Sequence, residues 1–248
     1  MHIQQFTFNA FQTRCCVVWD DSLSCAFVDP GCSSPAEIAE LTSFVSKHGL
    51  TPACIMLTHG HFDHIYGASA LVQKYDIPAY AHINEKFSIE NTNPQICRLY
   101  DLSLPAEFAM TPVSEGEVIE VGDLRFEVIE TPGHSKGGLC FYEKTEGILF
   151  SGDTLFAGAI GRTDQLGGDY DLLMKSIFEK LLPLDDAPAD SGSGSGSGSD
   201  SGSAPGAAPG ARHTSIKVIP GHGPCTDLAT EGMTNPFLQP FNLPYDEE

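Results

Sequence analysis

Basic side chains are scarce in this chain. Thirteen lysines and arginines stand against 33 aspartates and glutamates, a formal charge of −20 over 248 residues. The molecule as a whole therefore repels a phosphate backbone, and polynucleotide binding by bulk charge is excluded. No apolar run approaches the ~18 residues that a membrane-spanning helix needs. Met1 to Ala10 lacks the basic start and apolar stretch of an export signal, so a cytoplasmic location is expected. The eight cysteines (Cys15, Cys16, Cys25, Cys32, Cys54, Cys97, Cys140 and Cys225) form no C-x-x-C pair and no regular framework. A chain this long buries about three quarters of its unfolded surface and needs no disulfide staples. Most of these cysteines are read as buried, reduced thiols, with Cys225, close after His222, expected near a site. Hydrophobic content of 41% with 19% charged residues excludes disorder as a description of the whole.

The elements alternate as in an α/β or α+β protein. Three strand-like runs, about 3–11, 15–20 and 25–29, open the chain as an antiparallel meander. Ser34, Pro35 and Glu37 supply a helix cap, a first helical position and a capping-box acid, with Gly49 ending that helix. A buried strand over 54–57 follows, then a helix over about 63–75 and a strand over 79–81. Residues 118–150 read as β, with Gly122-Asp123 as a turn. A helix over 169–182, ended by Pro183, precedes a last strand over 216–219. Between these two, residues 190–210 are Ser, Gly, Ala and Pro with two Asp, and are expected to form a flexible surface loop inserted into a single domain spanning 1–248. In the tail, Phe237, Leu238, Phe241 and Leu243 suggest a packed arm, a lid or a dimer contact.

What stands out is a set of histidines and aspartates placed just after these strands. Thr58 to His64 reads T-H-G-H-F-D-H; His134 lies in T-P-G-H, Asp153 in S-G-D-T and His222 in P-G-H-G-P. The H-x-H pair, His59 and His61, can chelate one ion from a short segment, and Asp63 and His64 can project toward a second. His134 and His222 complete the two sets, and Asp153, with two carboxylate oxygens, is the natural bridge. A nitrogen and oxygen set without thiolates suits zinc first, with iron or manganese also possible. Two divalent ions flanking one water make hydroxide available at neutral pH, so no serine or cysteine nucleophile is required. Asp63 and Asp153 are the candidate catalytic residues. Arg162 and His82 are candidate substrate contacts; Arg162 could instead anchor its own loop through Asp164.

This ordered set resembles the metallo-β-lactamase superfamily, apart from the Ser/Gly segment and the tail. The resemblance implies an αββα sandwich with the metals at one edge between two sheets. Ser151 to Asp164, S-G-D-T-L-F-A-G-A-I-G-R-T-D, is similar to small glyoxalase II-like (hydroxyacylglutathione hydrolase-like) hydrolases lacking the C-terminal helical domain that grips glutathione. It implies that His59, His61 and His134 hold one metal, that Asp63, His64 and His222 hold the other, and that Asp153 bridges them. Asp29, in V-D-P-G, matches an acid that orients a ligand from behind. The implied activity is cleavage of a small-molecule thioester or ester by a metal-bridging hydroxide. Alternatives are a mononuclear iron persulfide dioxygenase and a non-catalytic metal-binding module. β-Lactam cleavage is less expected, because the β-lactamases resembled generally replace the bridging aspartate.

Overall fold

In a computed structural model, which describes residues 1–186 and 215–240, the chain opens with the expected meander. β1 (His2–Phe8), β2 (Thr13–Trp19) and β3 (Ser24–Val28) pair antiparallel in sequence order. α1 (Pro35–Lys47) starts at a complete capping box, with Ser34 accepting from the Glu37 N–H and Glu37 accepting in return from Ser34. β4 (Thr51–Met56) then lies parallel to β3 and carries the first histidines off its C-terminal end.

The expected single helix over 63–75 is two: α2 (Phe62–Ile65) and α3 (Ala68–Tyr75). The chain breaks at Gly67 because the loop after β3 presses against it. The Gly67 N–H donates to the Pro30 carbonyl at 2.8 Å, and a Cβ there would lie 2.1 Å from Cys32 Sγ. β5 (Ala79–Ala81), α4 (Glu85–Glu90), α5 (Pro94–Leu99) and β6 (Met110–Pro112) complete the first half, with β5 and β6 extending the sheet in parallel.

The second half is the β-rich stretch. β7 (Val118–Val121), β8 (Leu124–Glu130), β9 (Leu139–Glu143) and β10 (Ile148–Gly152) pair antiparallel in order. A hairpin of β11 (Leu155–Phe156) and β12 (Ala159–Ile160) follows. The last long helix differs from expectation. α6 (Tyr170–Ser176) passes through a π turn at Ile177–Leu181 into α7 (Leu182–Asp186), so Pro183 does not end it. Pro183 sits in the first turn of α7, where its missing N–H is not needed. β13 (Lys217–Pro220) pairs parallel with β10, β14 (Thr226–Asp227) pairs with β13, and α8 (Leu228–Thr234) closes the described residues with a 3-10 turn over Pro236–Leu238. The segment 190–210 lies outside the described residues, as do Phe241 and Leu243.

The sheets, ordered β1-β2-β3-β4-β5-β6 and β14-β13-β10-β9-β8-β7, face one another. Alternation within a strand shows why. On β2, Cys16 and Val18 face the other sheet with Phe126, Phe141 and Phe150, while Cys15 and Val17 face α1 and α3 with Leu41 and Leu71. On the far side of the second sheet, Cys140 and Leu149 pack against Leu173 and Ile177 of the α6 region and Leu228 of α8. The order of layers is α, β, β, α. Seven cysteines are buried and all eight are unpaired, filling space as small hydrophobes. Among the described residues no helix is long and apolar enough to cross a membrane.

Candidate metal centre

The ligand-bearing turns meet because each follows a strand end on one edge of the sandwich. His59, His61, Asp63 and His64 follow β4, His134 follows β8, Asp153 follows β10 and His222 follows β13. Their inward atoms crowd together. His61 Nδ1 lies 2.9 Å from His134 Nε2, and His64 Nε2 lies 3.2 Å from His222 Nε2. Asp63 Oδ2 is 3.4 Å from the Nε2 of both His64 and His222. Asp153 stands between the two clusters: its Oδ2 is 3.6 Å from His134 Nε2 and 3.5 Å from His222 Nε2, and its Oδ1 is 3.5 Å from His64 Nε2.

On His59, His64, His134 and His222 the opposite ring nitrogen is tied down, and the hydrogen-bond network thereby assigns which nitrogen points inward. His134 Nδ1–H donates to the Arg162 carbonyl at 2.8 Å and His222 Nδ1–H to the Phe11 carbonyl at 3.1 Å. His64 Nδ1–H donates to Asp29 Oδ2 at 3.1 Å, and His59 Nδ1 sits 3.0 Å from Thr58 Oγ1. Asp29 also accepts from the Thr58 N–H at 2.8 Å and the Thr58 hydroxyl at 2.6 Å. One buried carboxylate thus holds the start of the histidine loop and one ligand ring together, from a backbone at φ 47°.

Two buried atoms of the site, His59 Nε2 and Asp153 Oδ1, have no hydrogen-bond partner. That donor set fits divalent cations. Among the described residues three groups bring single donor atoms within 4.8 Å of one another: His59, His61 and His134; Asp63, His64 and His222; and Asp29, His59 and His64.

Charge divides the site. Burial, with His134 beside it, lowers His61 to about 3, and burial with its histidine neighbours holds His59 well below the ordinary imidazole value. Burial acts the same way on His64, but Asp63, Asp153 and Asp29 outweigh it and raise that ring to about 9. Burial is likewise outweighed at His222, where Asp153 and Asp63 raise the ring to about 10. The two carboxyls are held low against burial by the imidazoles around them.

The sequence and the fold match known proteins. The family model described as the metallo-beta-lactamase superfamily aligns with residues 9–222. The chain belongs to this superfamily. It is 33% identical to "Hydroxyacylglutathione hydrolase GloC" of Haemophilus influenzae, over 96% of this chain and 98% of the relative. It superposes on the solved structures titled "BLEG-1 B3 metallo-beta-lactamase" (TM-score 0.75, 32% identity, covering 96% of this chain and 99% of that one) and "TTHA1623 in a di-iron-bound form" (TM-score 0.73, 30% identity, covering 95% and 100%).

As a metallo-beta-lactamase superfamily site, the cluster opens into a cavity of about 510 Å³ walled in part by His61, Asp63, His134, Asp153 and His222. Arg162 reaches this wall with its guanidinium in a two-pronged pair with Asp164, at 2.7 and 2.8 Å. The structure does not bring His82 to the cavity: its Nε2 pairs with Glu130 at 3.3 Å and its Nδ1 accepts from the Asn84 N–H. Cys225 turns toward Gln5 and does not line the cavity.

Two residues that the sequence motifs did not single out hold the superfamily's loops. Glu85, fully buried at the start of α4, accepts from the Gly60 N–H at 2.6 Å and from the Gly137 N–H at 2.7 Å. It thereby joins the loop of His59 and His61 to the loop of His134. Arg14 on β2 donates to the carbonyls of Pro220 and Gly223, clamping the turn that presents His222. Neither stands beside a ligand in sequence, so no local pattern marks them. Gly221 in that turn has no room for a side chain, since a Cβ would lie 2.4 Å from Asp153 Oδ1.

Proposed function

We propose that this chain is a binuclear metal-dependent hydrolase of thioesters or related esters. The carrying observation is the position of Asp153, whose carboxylate lies within 3.6 Å of imidazole nitrogens from both clusters. Only an acid so placed serves two ions at once. His59, His61 and His134 would hold one, Asp63, His64 and His222 the other, and Asp153 would touch both. Bound divalent ions supply a Lewis acid for the substrate carbonyl and a water made acidic enough to react near neutral pH. The relative named a hydroxyacylglutathione hydrolase and the neighbour titled di-iron-bound support this reading.

The protein's own contribution is to aim and hold the donors. Asp29 keeps the His64 lone pair inward, and the Thr13 hydroxyl donates to Asp63 Oδ2 at 2.8 Å, leaving that carboxylate one defined direction. Asn9 steadies the same turn by donating to the carbonyls of Gly31 and Asp63. In the overall reaction water adds its oxygen to the acyl carbon, the carbon–sulfur bond breaks, and an acid and a thiol leave. Zinc suits these donors and iron fits them as well.

The test is turnover of a thioester panel, S-lactoylglutathione included, with an oxygen electrode in the same vessel. Free thiol released without oxygen uptake is expected. Oxygen consumption with a persulfide substrate would replace the reading with a dioxygenase.

A further inference from the structure

Two aromatic rings stand on the cavity wall, each fixed to the ligand set by its own backbone. Phe62 lies between His61 and Asp63 in the chain, and the Phe11 carbonyl is the group that holds His222. Their rings meet edge to face with centroids 5.1 Å apart, and Tyr100 extends the surface, 4.5 Å from Phe11. Toward the mouth, Ile96 and Leu166 add apolar surface while 41% and 69% exposed. Large apolar side chains left open to water around a cavity mark a place where a ligand covers them.

The remaining cavity groups offer little to a charged ligand. Ser88, Asn91, Thr92, Asn93 and Gln165 are neutral, and Arg162 is engaged by Asp164. The net charge of −20 further disfavours polyanionic thioesters.

We infer that the Phe11–Phe62 wall is the acyl subsite of this cavity, and that the preferred substrates are thioesters of apolar, uncharged acyl groups. The inference rests on the thioesterase reading above and adds to it the substrate class. The wall abuts the donors where the acyl carbon must sit, so a chain growing from that carbon runs onto aromatic surface. The neutral amides and hydroxyls that line the same cavity remain for the thiol portion.

The experiment is a kcat/KM series on the metal-loaded enzyme with one small neutral thiol, N-acetylcysteamine, carrying acetyl, butyryl, hexanoyl, phenylacetyl and succinyl groups. Each methylene laid on the wall is expected to raise kcat/KM by about three- to fourfold, so hexanoyl exceeds acetyl by about 100-fold. Phe62→Ala and Phe11→Ala are each expected to compress that ratio at least tenfold, with metal content, measured on the same samples, retained. Phe62→Leu, which keeps an apolar side chain, should restore part of it. A flat series, a preference for succinyl, or a ratio indifferent to both alanine variants would overturn the subsite and leave the thioesterase standing. No turnover of any member would overturn both.

Discussion

The carboxylate of Glu85 accepts the Gly60 N–H at 2.6 Å, inside the H-x-H turn, and uses its other oxygen for Gly137 three residues beyond His134. Two loops from opposite sheets are thereby held by one buried side chain. Glu85→Gln keeps one carbonyl acceptor and turns an amide N–H₂ toward the other donor. The expected loss is about 1–3 kcal/mol of stability, the cost of a buried N–H left unpaired. Denaturant unfolding checks the magnitude, and metal retention by the His59, His61 and His134 group should weaken in parallel.

Asp29 acts on His64 from behind, at 3.1 Å. Asp29→Ala removes the acceptor that fixes the ring, and metal affinity or activity is expected to fall by about 10- to 100-fold. A competition titration with a chelating dye reads this directly. An unchanged affinity would show that packing alone orients His64.

Gly221 tests how tightly the turn is built. A methyl group there meets Asp153 Oδ1 at 2.4 Å and His64 Cε1 at 2.7 Å. Gly221→Ala should cost about 1–3 kcal/mol by overpacking and displace Asp153. Thermal unfolding and metal content should both fall, and a fully loaded, equally stable variant would show that the turn yields.

Acid should weaken the fold through Glu37. Burial alone would raise its carboxyl, but N–H donors from Asn9, Ser33 and Ser34 and the Ser33 hydroxyl hold it below its ordinary value of 4.5. A group whose folded pKa is depressed contributes stability above its unfolded pKa and loses it progressively as pH falls from that value through the lower folded one. The contribution is therefore expected in full at pH 6 and to decline below about pH 4.5. Melting curves of the wild type and Glu37→Gln should converge in that acid range and diverge above it.

The parts of this protein legible in sequence are those written in short segments. The Ser34 and Glu37 box, the β-rich second half and the spacing of the ligand residues all depend on neighbours within a few positions, and the structure places them together. What escaped depends on contacts between distant segments. Helix 63–75 breaks because Cys32 and Pro30 press on Gly67, which no helical period reveals. Pro183 reads as a stop, yet the preceding π turn resets the helix so that proline falls in a first turn. Glu85 looks like an ordinary acid opening a short helix until Gly60 and Gly137 arrive from elsewhere in the chain.

The most direct measurement is the metal content of the purified protein beside Asp153→Ala. Two divalent ions per wild-type chain are expected, with the variant losing metal and thioester turnover together. One ion per chain, or an Asp153→Ala protein that keeps both ions and its activity, would contradict a binuclear centre bridged by Asp153.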